Sequence, residues 1–191
     1  MSGFPKVAAT SNPALQYNDL LGWSYDGYMS GSTGTLGAAA QIIVQRVPLP
    51  AVMTVTNVLT VLTALGLVLT HSYMGLYTSA GNLIGQTADQ SAVWGTGGTL
   101  GLKTLALVGG PFVCTPLAAN DFMWIAWYTG TTTGGVPGFF SPYVNTNVAN
   151  AGCTNARSRS AYINISNVAT LPSFSPAALT QYIGALWGAI S

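Results

Sequence analysis

Beyond about residue 39 the apolar and polar positions alternate with a period near two, the spacing of strands that bury one face. The stretch after Pro50 shows it well: Met53, Val55, Leu59 and Val61 share one parity, Thr54, Thr56 and Thr60 the other. The pattern predicts strands over Ala39–Pro48, Val52–Thr63 and Leu67–Thr78. A turn at Ser79-Ala-Gly-Asn82 then returns Leu83–Thr87 as a hairpin. Further strands are predicted over Leu102–Val108, in a short extended piece bracketed by Pro111 and Pro116, and over Tyr162–Ser166. FMWIAWYT, Phe122–Thr129, is the most apolar run and is predicted to be a central strand. The last run, Tyr182–Ile190, also fits a short helix, but its aromatic and β-branched content favours a strand. Gly95–Gly101 and the long Gly/Pro/Thr/Asn-rich stretch Gly130–Asn155 read as loops. About eight or nine short strands separated by Gly and Pro turns indicate an antiparallel sandwich or barrel, and we expect an all-β antiparallel β-sandwich over residues 39–191.

Charge changes the picture. Only 5% of the 191 residues are charged, with five Lys and Arg, four Asp, no Glu and a net charge of +1. An ordinary soluble domain carries about 25% charged residues, and a small free monomer relies on a net charge of roughly 2 to 8 for colloidal stability. So few cations exclude an electrostatic nucleic-acid binder, and a hydrophobic content of 49% excludes a charge-driven disordered chain. A membrane protein and a subunit buried in an assembly both fit such a composition. The one span candidate is Ala51–Thr70, but its five Thr, its period of two and the preceding Pro48 and Pro50 describe a strand, so no membrane insertion is expected. The first residues, MSGFPKVAATSNPALQY, have no apolar core of a secretory signal.

Residues 1–38 differ from the rest. They hold Asp19, Asp26 and Lys6, the aromatic residues Phe4, Tyr17, Trp23, Tyr25 and Tyr28, and a closing Gly/Ser/Thr stretch that reads as a linker. An uncharged segment with five aromatics is too adhesive to stay free in water, so it is read as an extended N-terminal arm that docks on a neighbouring subunit.

The inventory for catalysis is thin. Gly95-Thr-Gly-Gly-Thr-Leu-Gly101 precedes Lys103-Thr104, but a phosphate loop needs Gly, Lys and Ser/Thr contiguous at the start of a helix, and here Leu102 intervenes before a strand. His71 is the single His, so one chain builds no His-based metal site. A nucleophilic triad would need His71 beside a Ser and one of the four Asp, and no Ser stands in a Gly-x-Ser-x-Gly context. Asp89 with Asp121 is the only conceivable carboxylate pair for glycoside hydrolysis, with nothing in the sequence to bring them together. The expectation is therefore a non-enzymatic protein with no catalytic residues, no cofactor and no metal. Cys114 and Cys153 allow one intrachain disulfide; the alternative for Cys114, on an apolar strand, is a small buried hydrophobe. Trp124, Trp127 and Trp187 are expected in the core or a subunit interface. Trp94, Phe139, Phe140 and Tyr143, read as loop residues, with Arg157 and Arg159 nearby in sequence, form the candidate contact site for an external partner such as a glycan.

Three stretches carry a resemblance. They are Pro50-Ala-Val-Met-Thr-Val-Thr-Asn57, then Tyr73-Met-Gly-Leu-Tyr-Thr-Ser-Ala-Gly-Asn-Leu-Ile-Gly-Gln-Thr-Ala-Asp89, and Gly101-Leu-Lys-Thr-Leu-Ala-Leu107. Together with the closing Leu171-Pro to Tyr182-Ile-Gly-Ala-Leu-Trp-Gly-Ala-Ile190, this portion resembles small minor tail and virion structural proteins of actinobacterial tailed phages. It runs from near residue 46 to the end and excludes the arm. The resemblance implies a jelly-roll-like sandwich in a virion, assembled in the host cytoplasm as a trimer or ring with itself and with other virion proteins. It further implies exposed loops, Gly130–Asn155 above all, that meet host envelope glycans. The same module as a head decoration protein or capsid fibre is the alternative. An envelope-glycan hydrolase is the third reading, because some relatives carry hydrolase labels, although no catalytic set is present to inherit. The likeness is one of scaffold and transfers no site residue.

Overall fold

The computed structural model describes residues 20–24, 31–36, 40–119, 121–131, 134–142, 159–165, 167–182 and 185–191. Within them the chain is an all-β sandwich. Its strands are β1 (Gly22–Trp23), β2 (Gly31–Thr35), β3 (Gln41–Pro48), β4 (Met53–Val55), β5 (Asn57–Ala64), β6 (Thr70–Thr78), β7 (Leu83–Gln86) and β8 (Gly101–Ala106). β9 (Phe112–Cys114), β10 (Phe122–Thr131), β11 (Gly138–Pro142), β12 (Ser160–Asn164), β13 (Thr180–Gln181) and β14 (Gly188–Ile190) complete them, with one α-helical turn, α1 (Ser91–Trp94), and a 3-10 turn at Pro176–Ala178.

One sheet runs β13-β12-β3-β10-β6-β7, and every pairing in it is antiparallel. β10 lies between β3 and β6, paired from Phe122↔Pro48 on one side and from Met123↔Thr78 on the other, so the most apolar run is a central strand as expected. The second sheet runs β1-β14-β5-β11-β2, with β8 on the other edge of β5. β14 takes Val58–Thr60 of β5, and β11 takes Leu62 and Ala64 beyond it. A small third sheet pairs β4 with β9 at one end of the sandwich.

The core between the large sheets holds Ile43 and Val47 of β3, Met74 and Leu76 of β6, and Met123, Ile125 and Trp127 of β10. Val58 and Leu62 of β5, Phe139 of β11 and Ile190 of β14 meet them. The other face of β10 is buried as well. Trp124, Ala126 and Tyr128 pack with Ile42, Val44, Tyr73 and Tyr77 beneath Leu171, Phe174 and Leu179, residues of a strap that crosses the outside of the sheet. A strand covered on both faces has no reason to alternate, which explains the unbroken apolar run.

The strap is fastened by polar groups. The Val168 N–H donates to the Tyr128 hydroxyl (3.0 Å), the Tyr73 hydroxyl to the Ala169 carbonyl (2.6 Å), and the Leu171 N–H to Gln86 Oε1 (2.7 Å). Phe174 N–H donates to the Gly81 carbonyl at 2.9 Å. At Gly81, with φ +84°, a Cβ would stand 2.1 Å from the Phe174 carbonyl oxygen, so only glycine allows this approach.

Three expectations need correction. The parity read through Val52–Thr63 switches at Thr56: Val55 is buried in β4, but in β5 the buried core positions are Val58, Thr60 and Leu62. The cause is a break at Thr56, whose N–H and that of Asn57 both donate to the Ser191 carbonyl. The stretch Gly130–Asn155 is not wholly loop, because Gly138–Pro142 forms β11 between β5 and β2. Part of the segment assigned to the arm lies inside the sandwich. Trp23 pairs with Ala189, and Gly31–Thr35 pairs along β11. Phe4, Tyr17, Tyr25 and Tyr28 lie outside the described residues.

Candidate functional site

Two places bring polar chemistry or open apolar surface together, and they differ in what they can do. The first gathers His71, Asp89 and Ser91, a combination the sequence separates but the fold unites. His71, the second residue of β6, has φ +50°, and Val68, two residues before the strand, has φ +47°, a strained value for a β-branched residue. Asp89 Oδ1 accepts three hydrogen bonds: from the Ser91 hydroxyl (2.6 Å), the Ser91 N–H (2.8 Å) and the Ser72 N–H (3.0 Å). His71 Nδ1 lies 3.3 Å from Asn167 Oδ1.

Burial alone would raise the Asp89 carboxyl. The bonds from Ser91 and Ser72 and the neighbouring His71 outweigh it and hold the group below the usual aspartate range. The order of partners is wrong for nucleophilic catalysis, which needs the imidazole between hydroxyl and carboxylate. Here the hydroxyl donates its hydrogen bond directly to the carboxylate, and Asp89 ties the turn before α1 to the start of β6. Beside it, Val68, Leu69, Ser91, Ala92 and Gly95–Gly97 line an open cleft of about 400 Å³. The glycine-rich loop there bends around Lys103, whose ammonium donates to Thr99 Oγ1 at 2.8 Å rather than standing over a phosphate cradle.

The second place is an apolar cleft of about 140 Å³ at the end of the sandwich that carries β4 and β9. Leu49, Ile84, Phe122, Met123 and Cys114 form its walls, with Val113 and Leu117 among the lining residues. Val113 is 68% exposed and Leu117 79%. Val52, 60% exposed, stands one step beyond the Met53↔Cys114 pair on the β4–β9 ribbon. Asp121 is the one charged residue in the lining. Its Oδ2 accepts from the Leu117 N–H and its Oδ1 from the Phe122 N–H, each at 2.8 Å. Burial pushes this carboxyl up, but those bonds and one from the Ser79 side chain bring it below the ordinary value, so it is ionised near neutrality. Asp121 and Asp89 belong to different places and form no carboxylate pair in the polar cluster or the cleft.

Of the residues proposed for an external contact, Trp94 and Phe139 are fully buried, with ring centroids 5.0 Å apart and planes at 80°. They are core, because α1 and β11 turn both rings inward, and neither is available to a partner. Phe140, on the opposite face of β11, is half-buried against the cluster of Leu59, Trp187 and Ala189. Arg159 is exposed and its Nη2 donates to the Ser24 carbonyl at 3.3 Å. Tyr143 and Arg157 lie outside the described residues. Trp124, Trp127 and Trp187 are buried as expected. Cys114 is buried with a free thiol, its Sγ 3.8 Å from the Phe112 carbonyl oxygen; Cys153, its partner in the disulfide the sequence allows, is not among the described residues.

The β4–β9 cleft escaped the sequence reading because its parts come from five separate stretches. The exposed Val52, Val113 and Leu117 each look ordinary singly. Among the described residues no helix is long and apolar enough to cross a membrane, and no group of three or more His, Cys, Asp or Glu is placed to hold a metal ion. No protein-family model matches the chain, and no curated protein is similar to it at a significant level.

Proposed function

We propose that this chain is a non-enzymatic structural subunit of a tailed-phage virion, a minor tail protein whose β-sandwich faces outward and whose N-terminal segment docks on neighbouring subunits. The observation that carries the reading is the surface. A sandwich with 5% charged residues displays Val113 and Leu117 in the lining of an apolar cleft, Val52 on the adjoining β4–β9 ribbon, and Leu100 and Leu102 at and before β8, all at least 58% exposed. Scattered apolar side chains on a surface are normal; a group of them in and beside a cleft, on a protein with almost no charge to keep copies apart, is the surface of an assembled subunit. The resemblance of the chain from near residue 46 to its end to minor tail and virion structural proteins of actinobacterial phages supports the same reading. The two large sheets provide a scaffold, and the polar cluster at His71, Asp89 and Ser91 serves to hold a turn.

Sedimentation analysis of the purified chain tests it. A trimer or larger closed ring is expected, since homo-oligomers close by symmetry. A monodisperse 19.7 kDa monomer at micromolar concentration would sink the proposal.

A further inference from the structure

We infer that the apolar cleft beneath β4 and β9 is the receptor for the Phe4-Pro5-Lys6 segment of a second copy of this chain, the Phe4 ring filling the cleft and the Lys6 ammonium pairing with Asp121. This names the docking partner within the assembly proposed above and rests on that reading.

Three observations carry it. The first is size and polarity. The cleft measures about 140 Å³ between Leu49, Ile84, Phe122 and Met123. An apolar cavity of roughly 150 Å³ accepts benzene. A single phenyl ring is therefore the right plug, and the exposed Val113 and Leu117 at its mouth would lose water on closure.

The second is charge. Asp121 is ionised at the edge of the cleft, its carboxylate accepting the Leu117 and Phe122 N–H groups and a bond from the Ser79 side chain, which leaves one of its about four lone-pair sites for a cation. The occupant should therefore present a cation close to an aromatic ring. In the segment before Leu20 only Lys6 is basic, and it stands two residues after Phe4.

The third is reach. Leu21 N–H donates to the Ile190 carbonyl, and at Gly22 a Cβ would stand 2.8 Å from Val47 Cγ1 and 3.6 Å from the Pro48 carbonyl, next to the cleft residue Leu49. The chain thus enters the described fold beside the cleft. The sixteen residue-to-residue steps from Phe4 to Leu20 span up to about 55 Å when extended, against a radius of gyration of about 16 Å for a domain of this size. That length exceeds what its own cleft requires and suffices to cross to a neighbour.

The test uses the full-length chain. Cys114→Ala and Cys153→Ser remove the native thiols, and Gly3→Cys with Thr115→Cys place one thiol beside the plug and one on the exposed lining of the cleft, leaving Phe4 and Leu117 in place. On oxidation, covalent multimers on a non-reducing gel, with Cys at positions 3 and 115 joined by peptide mapping, are the expected result. A disulfide closed within one chain, or none, overturns the inference. In the otherwise unaltered sequence, Phe4→Ala and Leu117→Asp should each lower the sedimenting mass to that of the monomer. Leu117 is 79% exposed, so its replacement leaves the fold intact, which near-UV circular dichroism checks. An oligomer that persists in both variants overturns the cleft as receptor while leaving the structural-subunit reading in place. A wild-type monomer overturns both.

Discussion

At the scale of single residues, Thr60 shows how a hydroxyl earns a core position. It faces the core from β5, where its Oγ1 accepts the Trp127 Nε1–H and donates to the Trp187 carbonyl, both at 3.1 Å. One strand from each large sheet and the residue leading into β14 thereby meet on one oxygen. Next to it, Gly188 leaves room for the Trp127 ring, since a Cβ there would stand 2.6 Å from Cη2. Thr60→Val keeps the shape but strands the buried indole N–H, at a cost of about 1–3 kcal/mol, whereas Thr60→Ser keeps the hydroxyl. Urea denaturation should show a lowered midpoint with unchanged slope for the valine variant and a partial return for the serine. Equal midpoints for valine and wild type would show that the bridge contributes nothing.

At the scale of elements, the strap over residues 167–179 decides how the six-stranded sheet is finished. Phe174 is its main anchor, with its ring 4.8 Å from Tyr77 and 6.3 Å from Trp124, centroid to centroid. Gly75 lets Leu171 descend between Tyr73 and Tyr77, because a Cβ there would meet Leu171 Cδ1 at 2.6 Å. Removing a buried phenyl ring costs about 3–5 kcal/mol. Phe174→Ala is expected to destabilise the chain by that order and to raise deuterium uptake across residues 167–179 first, since the strap's remaining backbone bonds go largely to side chains. Uptake that rises first in β5 and β14 instead would mean that the strap is not the sheet's outer layer in energetic terms. The strap had no sequence signature of its own: its buried Leu171, Phe174 and Leu179 lie at irregular spacing, and period-based reading detects regular elements only.

At the scale of the whole molecule, the scarcity of charge sets the response to pH. Asp89 and Asp121 both have carboxyls held below the ordinary aspartate value of about 3.9. A lowered folded pKa means that the stability these groups contribute is present above the unfolded value and is lost as pH falls through the folded one. At the other end, burial raises the hydroxyls of Tyr73, Tyr77, Tyr128 and Tyr182, most strongly Tyr77. Their contribution is present below the unfolded value of about 10 and is lost as pH rises beyond it. Thermal melts across pH should therefore show Tm falling below about pH 4 and above about pH 10. Asp89→Asn should flatten part of the acid limb, and an unchanged acid limb would contradict the geometry around Ser72 and Ser91.

The sequence by itself determined the class of the fold and most of its strands. The β-branched apolar run in Gln41–Pro48, the Thr78–Leu83 turn and the central position of Phe122–Thr131 are local or compositional, and local chemistry is what a pattern records. It also showed that one chain by itself builds no site needing two histidines, because His71 is the single His. Tertiary structure alone decided which face of β5 is inside, since the break at Thr56 depends on a carbonyl at Ser191, more than a hundred residues away in sequence. It alone placed Trp94 and Phe139 in contact, turned residues 138–142 and 31–35 into paired strands, and spent Asp89 on a turn. Each of these outcomes depends on a partner supplied by a distant segment, and no property of the residue or its neighbours in sequence encodes where that partner arrives.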